Sequence, residues 1–464
     1  MPGDGLVNTQ GQDLSGFITL DSGAHLWYME ANFSQSLKGL IEMSDYAGLS
    51  WKVLELLNKG VRIWHPGSVD IGNEVNTDMI AGRGVEIFSG TRINGAETVI
   101  CKGVKLGAEG PVTIRDCQIG EGVELRGGYF KNSVLLDGAS FGSASQVREG
   151  CLIEEQAGGN HAVGLKQTIL FPFVTLGSLV NFCDCLMAGG TSRKDHSEVG
   201  SSFIHFNYTP HQDKATPSLI GDVPRGVMLD CAPIFLGGQG GIVGPARVDF
   251  GTVLAAGSIL REDIPPGAAG RKGRLIGGPM ALRESDFHCG LYVNVRRKII
   301  NNAIYIANLL ALREWYSHVR TGFLSSREFG PELLGGAKKV IDAAISERIK
   351  RFGEFAGKME ESIALSREQL PEPQWDKLRA QKKELLENRA ALEVCFSGGL
   401  EAEFGTPQRE KFLERLSGQK LSGTNYISAV QGCDKETRSL GSSWLQSIVD
   451  GVSDKALELL PSVK

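Results

Sequence analysis

The sequence predicts a parallel β-solenoid followed by an α-helical region. From about residue 61 to about residue 264, small aliphatic residues return every six positions with glycines between them, as in Val104-Lys105-Leu106-Gly107 and Ile119-Gly120-Glu121-Gly122-Val123. A period of six fits neither a surface helix nor a lone strand, and it is typical of hexapeptide-repeat β-helices. The 60 glycines agree with this interpretation, because the corners of a coil need positive φ angles that cost little only for Gly, Asn or Asp. We therefore expect an all-β prism of stacked coils.

Length, composition and charge exclude several classes of function. The 464 residues are enough for two or three domains, and 41% hydrophobic with 22% charged residues is ordinary for a globular protein. A formal net charge of -5 gives no electrostatic footprint for nucleic acid. Residues 1–16 show no secretory signal, and the most apolar helical run, residues 299–312, contains three asparagines and is too short to span a membrane. The sequence therefore predicts a cytoplasmic protein with neither a nucleic-acid nor a membrane partner.

The nine cysteines are an odd number and follow no disulfide-like pattern. Cys183 and Cys185 are expected to share one face of a strand, which supplies only half of a metal site. We expect reduced, mostly buried thiols and no metal.

Residues 1–60 are predicted to form a helical cap. Apolar residues at helical spacing in 34–43 and 46–57 indicate two short helices, with Ser34 and Ser44 as N-caps. The first coil of a solenoid needs such a cover, because its core is otherwise open at the end of the stack.

The predicted solenoid covers residues 61–278 and is most regular before residue 142. Gly158-Gly159-Asn160-His161 and Ser192-Arg193-Lys194-Asp195-His196 interrupt the period, residues 207–218 form a polar excursion, and residues 236–244 form a glycine-rich one. Ile264-Pro265-Pro266-Gly267 closes the repeat. Loops that leave a rigid scaffold often carry function, so we expect a site in the second half of the solenoid.

Residues 279–464 are predicted to be α-helical. Glycine becomes sparse, and apolar residues recur at i, i+3, i+4 and i+7 in 294–318, 331–355 and 375–394, with charged residues on the opposite faces. Pro371-Glu372-Pro373 separates two of these helices, which favours an antiparallel hairpin or a small bundle. We find no catalytic motif in this region, but its surface is a candidate for a protein partner.

Four motifs in residues 142–263 resemble those of a known family. Val147-Arg148-Glu149-Gly150 is similar to an L-R-P-G motif, and Lys166 follows Arg148 by 18 positions. Asn207-Tyr208-Thr209-Pro210, Lys214 and Ile220-Gly221-Asp222 are similar to N-Y-D-G, K and I-G-D, and Leu254-Ala255-Ala256-Gly257 is similar to I-A-A-G. Together they resemble the acetyltransferase domain of the bifunctional bacterial enzyme that makes UDP-N-acetylglucosamine from glucosamine 1-phosphate.

The resemblance implies a left-handed β-helix that assembles as a homotrimer and acts in sugar-phosphate or nucleotide-sugar metabolism, with acetyl-CoA as donor. By this resemblance, Arg148 and Lys166 hold a phosphate, Asn207 and Tyr208 position the sugar or amine, and Lys214 aids phosphate or coenzyme A binding. The small residues Ala255, Ala256 and Gly257 lie beside acetyl-CoA. The family's uridyltransferase half has no counterpart, because residues 1–60 are too few to form it. We therefore do not expect uridyl transfer.

One departure concerns the base that N-acetylation requires. Counted without gaps from Lys166, the family's catalytic histidine position falls on Ser178, and a serine without a partner does not act as a base near neutral pH. His205 or His211 is the candidate replacement, since imidazole titrates in the useful range. His205 precedes Asn207 by two residues, which on a strand places both on one face.

Three alternatives remain open from the sequence. The chain is an acetyltransferase with a relocated base, or it is a sugar-nucleotide-binding or scaffold protein that has lost catalysis. A zinc enzyme with three convergent histidines is the third. Arg148 and Lys166 are equally compatible with surface ion pairs, and Asn207 with a turn cap.

Overall fold

The computed structural model describes residues 49–265, 275–277, 287–398, 404–418 and 425–464. The predicted helix at residues 34–43, the predicted cap Ser44 and the closing residues Pro266 and Gly267 lie outside these ranges. Within the described ranges, no helix has the length and the apolar character that a membrane-crossing segment needs.

Among the described residues, twenty-nine short strands form the solenoid and one hairpin on it. In chain order they are β1 (Arg62–Ile63), β2 (Asp70–Ile71), β3 (Glu86–Ile87), β4 (Arg92–Asn94), β5 (Val99–Ile100), β6 (Lys105–Leu106), β7 (Val112–Arg115), β8 (Gln118–Ile119), β9 (Glu124–Leu125), β10 (Gly128–Lys131), β11 (Ser133–Leu135), β12 (Ser140–Phe141), β13 (Ser145–Val147), β14 (Cys151–Ile153), β15 (Gly158–Gly159), β16 (Gly164–Leu170), β17 (Thr175–Leu176), β18 (Asn181–Met187), β19 (Gly190–Ser192), β20 (Asp195–His196), β21 (Glu198–Val199), β22 (Ile204–Phe206), β23 (Ser218–Ile220), β24 (Phe235–Leu236), β25 (Gly241–Val243), β26 (Arg247–Val248), β27 (Val253–Leu254), β28 (Ile259–Leu260) and β29 (Leu275–Ile276).

Parallel pairing stacks these strands into three flat faces. The first face is a sheet of eleven strands in the order β1-β3-β6-β9-β12-β15-β17-β21-β24-β27-β29. The second, which we call the cleft face, contains β2, β4, β7, β10, β13, β22, β25, β28 and the first halves of β16 and β18. The third, which we call the helix-covered face, contains β5, β8, β11, β14, β23, β26 and the second halves of β16 and β18. The predicted parallel β-solenoid is confirmed.

The corners of the coils are more varied than the sequence analysis predicts. Several corner residues other than Gly, Asn or Asp have positive φ, namely Ala144, Gln156, Ala162, Gln167, Phe173 and Leu179. The N–H of Gln167 donates to the carbonyl oxygen of Glu149 at 3.1 Å, and that of Leu179 donates to His161 at 3.0 Å. These hydrogen bonds to the preceding coil help to offset the cost of a left-handed backbone, so a corner tolerates larger side chains.

The start of the solenoid is covered by helix α1 (Trp51–Asn58). Ser50, not Ser44, is its N-cap, and the Ser50 side chain accepts from the N–H of Lys52. The buried Lys52 ammonium donates to the carbonyl oxygens of Gly72, Asn73 and Val75 at 2.9, 2.7 and 2.5 Å. Helix α1 therefore binds the first coil through both its apolar side and one lysine.

The described residues contain ten further helices, of which the sequence analysis predicts those in 294–318, 331–355 and 375–394. They are α2 (Val223–Gly226), α3 (Val295–Trp315), α4 (Thr321–Leu324), α5 (Gly330–Gly357), α6 (Met359–Gln369), α7 (Glu372–Glu387), α8 (Arg389–Ser397), α9 (Thr406–Gly418), α10 (Tyr426–Gln431) and α11 (Lys435–Glu458). Helix α3 continues into a π-helical turn at Tyr316–Arg320. The helix predicted at 375–394 is two helices, α7 and α8, because Asn388 between them leaves the helical conformation with φ −93° and ψ 9°.

The helices pack onto the helix-covered face and share one hydrophobic core with the solenoid. The asparagines that interrupt the apolar run in α3 are buried there, and they bond to solenoid groups: Asn301 to Asp263 at 2.9 Å and Asn302 to the Ala215 carbonyl at 3.0 Å. Two adjacent carboxylates of the solenoid, Glu154 and Glu155, accept hydrogen bonds from Tyr316 and Arg320 at 2.5 Å each. Polar side chains therefore fix where the helices contact the solenoid.

The predicted loop at residues 192–196 is a small antiparallel hairpin of β19 and β20. The polar excursion at 207–218 leaves the solenoid after β22 and returns at β23. On both sides of it the coils keep their register, because Ile204 pairs with Gly241 and Leu219 pairs with Arg247.

Candidate functional site

A cleft of about 780 Å³ lies where the cleft face meets helix α5, and we call it the Arg148 cleft. Its lining residues are Arg148, Lys166, Gln167, Asn181, Cys183, Asp184, Ile204, His205, Phe206, Asn207, Tyr208, Lys214, Glu347, Arg348 and Arg351. Its volume is within the usual range of small-molecule sites. Six of the ten site residues that the sequence predicts line it.

Strand register brings Arg148 and Lys166 together. Val147 pairs with Leu165, and the N–H of Arg148 donates to the Leu165 carbonyl at 2.9 Å. The next coil continues the same row, because Lys166 pairs with Cys183. The spacing of 18 residues between Arg148 and Lys166 is one full coil, so the two cationic side chains are stacked on one face.

The two cations have different partners. Lys166 donates to Glu149 at 2.7 Å, and this hydrogen bond lowers the pKa of the Glu149 carboxyl. Arg148 is exposed and, among the described residues, it pairs with no carboxylate. Its guanidinium donates a hydrogen bond to the Cys183 thiol. The pKa of this thiol is raised, because burial and Asp184 outweigh the opposing effect of Arg148. Arg148 is thus a charged group that is available to an anion.

The excursion at 207–218 supplies the next part of the cleft. The Asn207 amide donates to Asp184 at 2.9 Å, and the Asn207 carbonyl accepts from Thr216 at 2.7 Å. Asp213 anchors the excursion from below, since it accepts from Thr209 at 2.6 Å and from Lys298 at 3.0 Å. The exposed side chains of Tyr208 and Lys214 are left at the edge of the cleft.

Helix α5 forms the remaining wall. Arg348 is 4% exposed and pairs with Asp184, itself 6% exposed, at 2.8 Å. It also donates to the Gln167 side chain at 3.0 Å and to the Lys214 carbonyl at 3.3 Å. One helical side chain therefore ties together two coil corners and the excursion.

His205 is fully enclosed in the solenoid. Its Nδ1 lies 2.6 Å from the Cys183 carbonyl oxygen, which can only accept, so Nδ1 carries the proton. Nε2 lies 2.7 Å from the Ser218 hydroxyl, which in turn accepts from the N–H of Ala246. Burial lowers the pKa of His205 to about 4. Both ring nitrogens are therefore engaged within the fold, and the neutral imidazole joins its own coil to the preceding one, while the Ser218 hydroxyl continues the contact to the next coil.

His211 lies on the far side of the excursion and does not line the Arg148 cleft. Its Nδ1 accepts from the N–H of Gly290 at 3.2 Å, and its ring packs on Tyr292 with centroids 4.5 Å apart. Burial and the Lys298 ammonium lower its pKa. The structure thus does not bring His205 and His211 together at one surface.

Ser178 and the corner of Ala255, Ala256 and Gly257 are also outside the cleft. Ser178 lies at a corner after β17, where its N–H donates to the Ser201 hydroxyl at 3.1 Å. Ala255, Ala256 and Gly257 form the partly exposed corner between β27 and β28. The N–H of Gly257 donates to Gly238 at 2.9 Å, so this corner is stacked on the glycine-rich excursion.

The sequence analysis missed Asp184, Glu347, Arg348 and Arg351. Arg348 continues the apolar stripe of α5 that contains Ile341, Ile345 and Phe352, and this spacing was the available signal. A charged residue in the middle of an apolar stripe indicates a buried partner, but the partner Asp184 lies 164 positions earlier in the chain.

All nine cysteines are free thiols. Among the described residues, no three His, Cys, Asp or Glu side chains come together in a way that could hold a metal ion.

The chain is similar to curated proteins named bifunctional protein GlmU. It is 27% identical over 222 residues to that of Thermotoga maritima, which covers 47% of this chain and 44% of the relative. It is 25% identical over 232 residues to that of Clavibacter sepedonicus, covering 49% of this chain and 43% of the relative, and 28% identical over 219 residues to that of Fervidobacterium nodosum, covering 46% and 42%. The chain thus spans less than half the length of these relatives. No protein-family model matches it.

Proposed function

We propose that this relative of the bifunctional GlmU proteins binds a phosphorylated sugar, either a sugar phosphate or a nucleotide sugar, in the Arg148 cleft. The observation that carries the proposal is the stacking of Arg148 on Lys166 in adjacent coils, with Lys214 at the edge of the same cleft. An arginine fork and a lysine ammonium are complementary to a phosphate group. Lys166 has three donors, so its bond to Glu149 leaves it able to bind a ligand.

Binding without acetyl transfer is the activity that the geometry supports best. A general base must reach the proton that it removes. Among the described residues of the cleft, both nitrogens of His205 are engaged, Asp184 pairs with Arg348, and Glu347 pairs with Arg351. The carboxylates and the imidazole therefore hold the walls of the cleft in place.

Acetyl transfer from acetyl-CoA to an amino-sugar phosphate is the second candidate, and the similarity to the GlmU proteins favours it. Asn207 and Tyr208 would then position the sugar, the corner of Ala255, Ala256 and Gly257 would lie beside the coenzyme, and His205 or His211 would be the base. His205 would serve as the base only if its bond to Ser218 in β23 were broken, and His211 only if the substrate extended beyond the Arg148 cleft.

Calorimetry with glucosamine 1-phosphate and UDP-N-acetylglucosamine tests the binding proposal. We expect at least one to bind, and Arg148→Ala and Lys166→Ala to weaken binding about tenfold each, as the loss of one charge-assisted hydrogen bond predicts. Lys105→Ala is a matched control, since Lys105, like Lys166, pairs with a glutamate of an adjacent coil but lies on the first face. Failure of both compounds to bind would refute the proposal.

Thiol release in the presence of acetyl-CoA and glucosamine 1-phosphate distinguishes the two candidates. Binding without thiol release supports a non-catalytic protein. Thiol release that Arg148→Ala abolishes would instead support the acetyltransferase.

We further propose a homotrimer, as the resemblance to the acetyltransferase domain implies. Light scattering would then give three times the chain mass of 50.0 kDa, and the mass of a single chain would contradict it. A protein partner for the helical region likewise stays a prediction.

A further inference from the structure

We infer that helix α5 contributes directly to ligand binding, and that Arg351 contacts the second phosphate of a nucleoside diphosphate sugar whose first phosphate lies at Arg148 and Lys166. This inference rests on the function proposed above for the same cleft. It goes further in assigning a ligand class and in giving the helical region a part in recognition.

Helix α5 is held rigidly at the cleft. It packs along β8, β11 and β14 of the helix-covered face, and Arg348 then reaches the corner residues Gln167 and Asp184. Both corners have positive φ, where β16 and β18 bend from the cleft face onto the helix-covered face. A helix fixed at this edge presents Arg351, three residues after Arg348, to the cleft, while Phe352 and Phe355 pack in the hydrophobic core.

Arg351 is the cation that this arrangement brings to the cleft. Its Nε donates to Glu347 at 2.7 Å and its Nη1 donates to Glu354 at 2.8 Å. Nη2 has no hydrogen-bond partner among the described residues, and the side chain is 25% exposed. Its two carboxylate neighbours raise the pKa of Arg351 against the effect of burial, so the group remains charged. Two carboxylates therefore hold the guanidinium in one orientation with one nitrogen unused.

The charges of the cleft are distributed over two walls. Arg148 and Lys166 belong to the solenoid, whereas Arg351 belongs to helix α5. Two carboxylates line the cleft among the described residues: Asp184 is occupied by Arg348 and Asn207, and Glu347 is occupied by Arg351. A ligand with two linked phosphates can contact both walls at once, whereas a single phosphate on Arg148 and Lys166 leaves Nη2 of Arg351 without an acceptor.

Apolar groups at the rim agree with a nucleoside. Phe206, Tyr208 and Ile204 line the cleft and are 40%, 56% and 40% exposed. Exposed aromatic rings beside cationic groups are the combination that stacks a nucleobase while the phosphates are held.

Calorimetry on the full chain with UDP-N-acetylglucosamine and with glucosamine 1-phosphate tests the inference. We expect Arg351→Ala to weaken binding of UDP-N-acetylglucosamine about tenfold and to change binding of glucosamine 1-phosphate less than about threefold. Arg367→Ala is the control, since Arg367 is an exposed arginine of helix α6 outside the cleft. Unchanged thermal unfolding of Arg351→Ala would show that the variant is folded.

The outcomes separate this inference from the proposed function. If the unaltered chain binds neither compound, the proposed function falls and the inference falls with it. If the chain binds UDP-N-acetylglucosamine but Arg351→Ala binds it equally well, the inference is refuted while the proposed function stands. An equal loss for both compounds refutes the assignment of Arg351 to the second phosphate.

Discussion

At the scale of the residue, His205 shows how a side chain expected to act on a substrate instead connects the scaffold. Its strand places it on the inner side of the cleft face, where it is 2% exposed. The carbonyl of Cys183 and the hydroxyl of Ser218 fix one neutral tautomer. The prediction that His205 acts as a base remains a prediction, and the burial of the ring has its own measurable consequence.

We expect His205 to make the protein sensitive to acid. Its pKa is about 4 in the folded chain and about 6.5 when unfolded, so the unfolded chain binds the proton more readily. Stability from this group is complete above about pH 6.5 and is lost as the pH falls through about 4, by about 3 kcal/mol in all. Urea unfolding at several pH values should show a smaller loss in His205→Gln.

His65→Gln is the control for this experiment, because His65 is an exposed histidine of an early coil. Equal acid sensitivity in His205→Gln and the unaltered chain would contradict the role given to His205.

At the scale of the element, one buried ion pair joins helix α5 to the bend in β18. We expect Arg348→Met to cost about 3–5 kcal/mol of unfolding free energy, because it leaves the Asp184 carboxylate buried without its partner. Adding Asp184→Asn should recover part of this loss, since asparagine is neutral and tolerates the left-handed backbone at this position. Urea denaturation measures both changes.

Arg313→Met is the matched control in a neighbouring helix. Arg313 pairs with Asp342, which is 58% exposed, at 3.9 Å, so its loss should cost less than about 1 kcal/mol. A similar small cost for Arg348→Met would mean that water reaches Asp184.

The contact between the π-helical turn and Glu154, the residue after β14, should make stability depend on pH in the opposite sense to His205. Burial raises the pKa of Glu154, which accepts from Tyr316 at the junction of helices and solenoid. The folded chain therefore holds this proton more tightly than the unfolded chain, and stability falls as the pH rises above the ordinary carboxyl value of about 4.3. Glu154→Gln should remove this decline in melting temperature, whereas the exposed control Glu361→Gln should not.

The sequence predicts those elements that depend on local periodicity. It does not predict the positions of side chains that depend on partners far away in the chain. The six-residue period predicts the prism, and the 18-residue spacing predicts that Arg148 and Lys166 are stacked. The 3.6-residue period predicts α3 and α5 to within a few residues. The wall formed by Arg348 and Arg351 could not be predicted, because it depends on which face of a helix meets which coil. The enclosure of His205 likewise depends on Ser218, which returns only after the excursion.

At the scale of the whole molecule, solenoid and helices are expected to unfold together. One core includes inward residues such as Leu135 and Ile153 and helical residues such as Leu333 and Ile341. The helical signal in circular dichroism and the hydrogen exchange of backbone amides in the solenoid strands should therefore change at the same urea concentration. Loss of the helical signal at a lower concentration would show that the helices are a separate folding unit.

The uninterrupted register on either side of residues 207–217 has a consequence for engineering. Coils before and after this segment pair as if it were absent, so its length is not set by the stack. Asp213 and Ala215 tie it to helix α3, whereas Tyr208, Gln212 and Lys214 are exposed. Libraries that vary these three exposed positions and keep the buried ones would therefore change which small molecule the cleft binds without redesign of the scaffold.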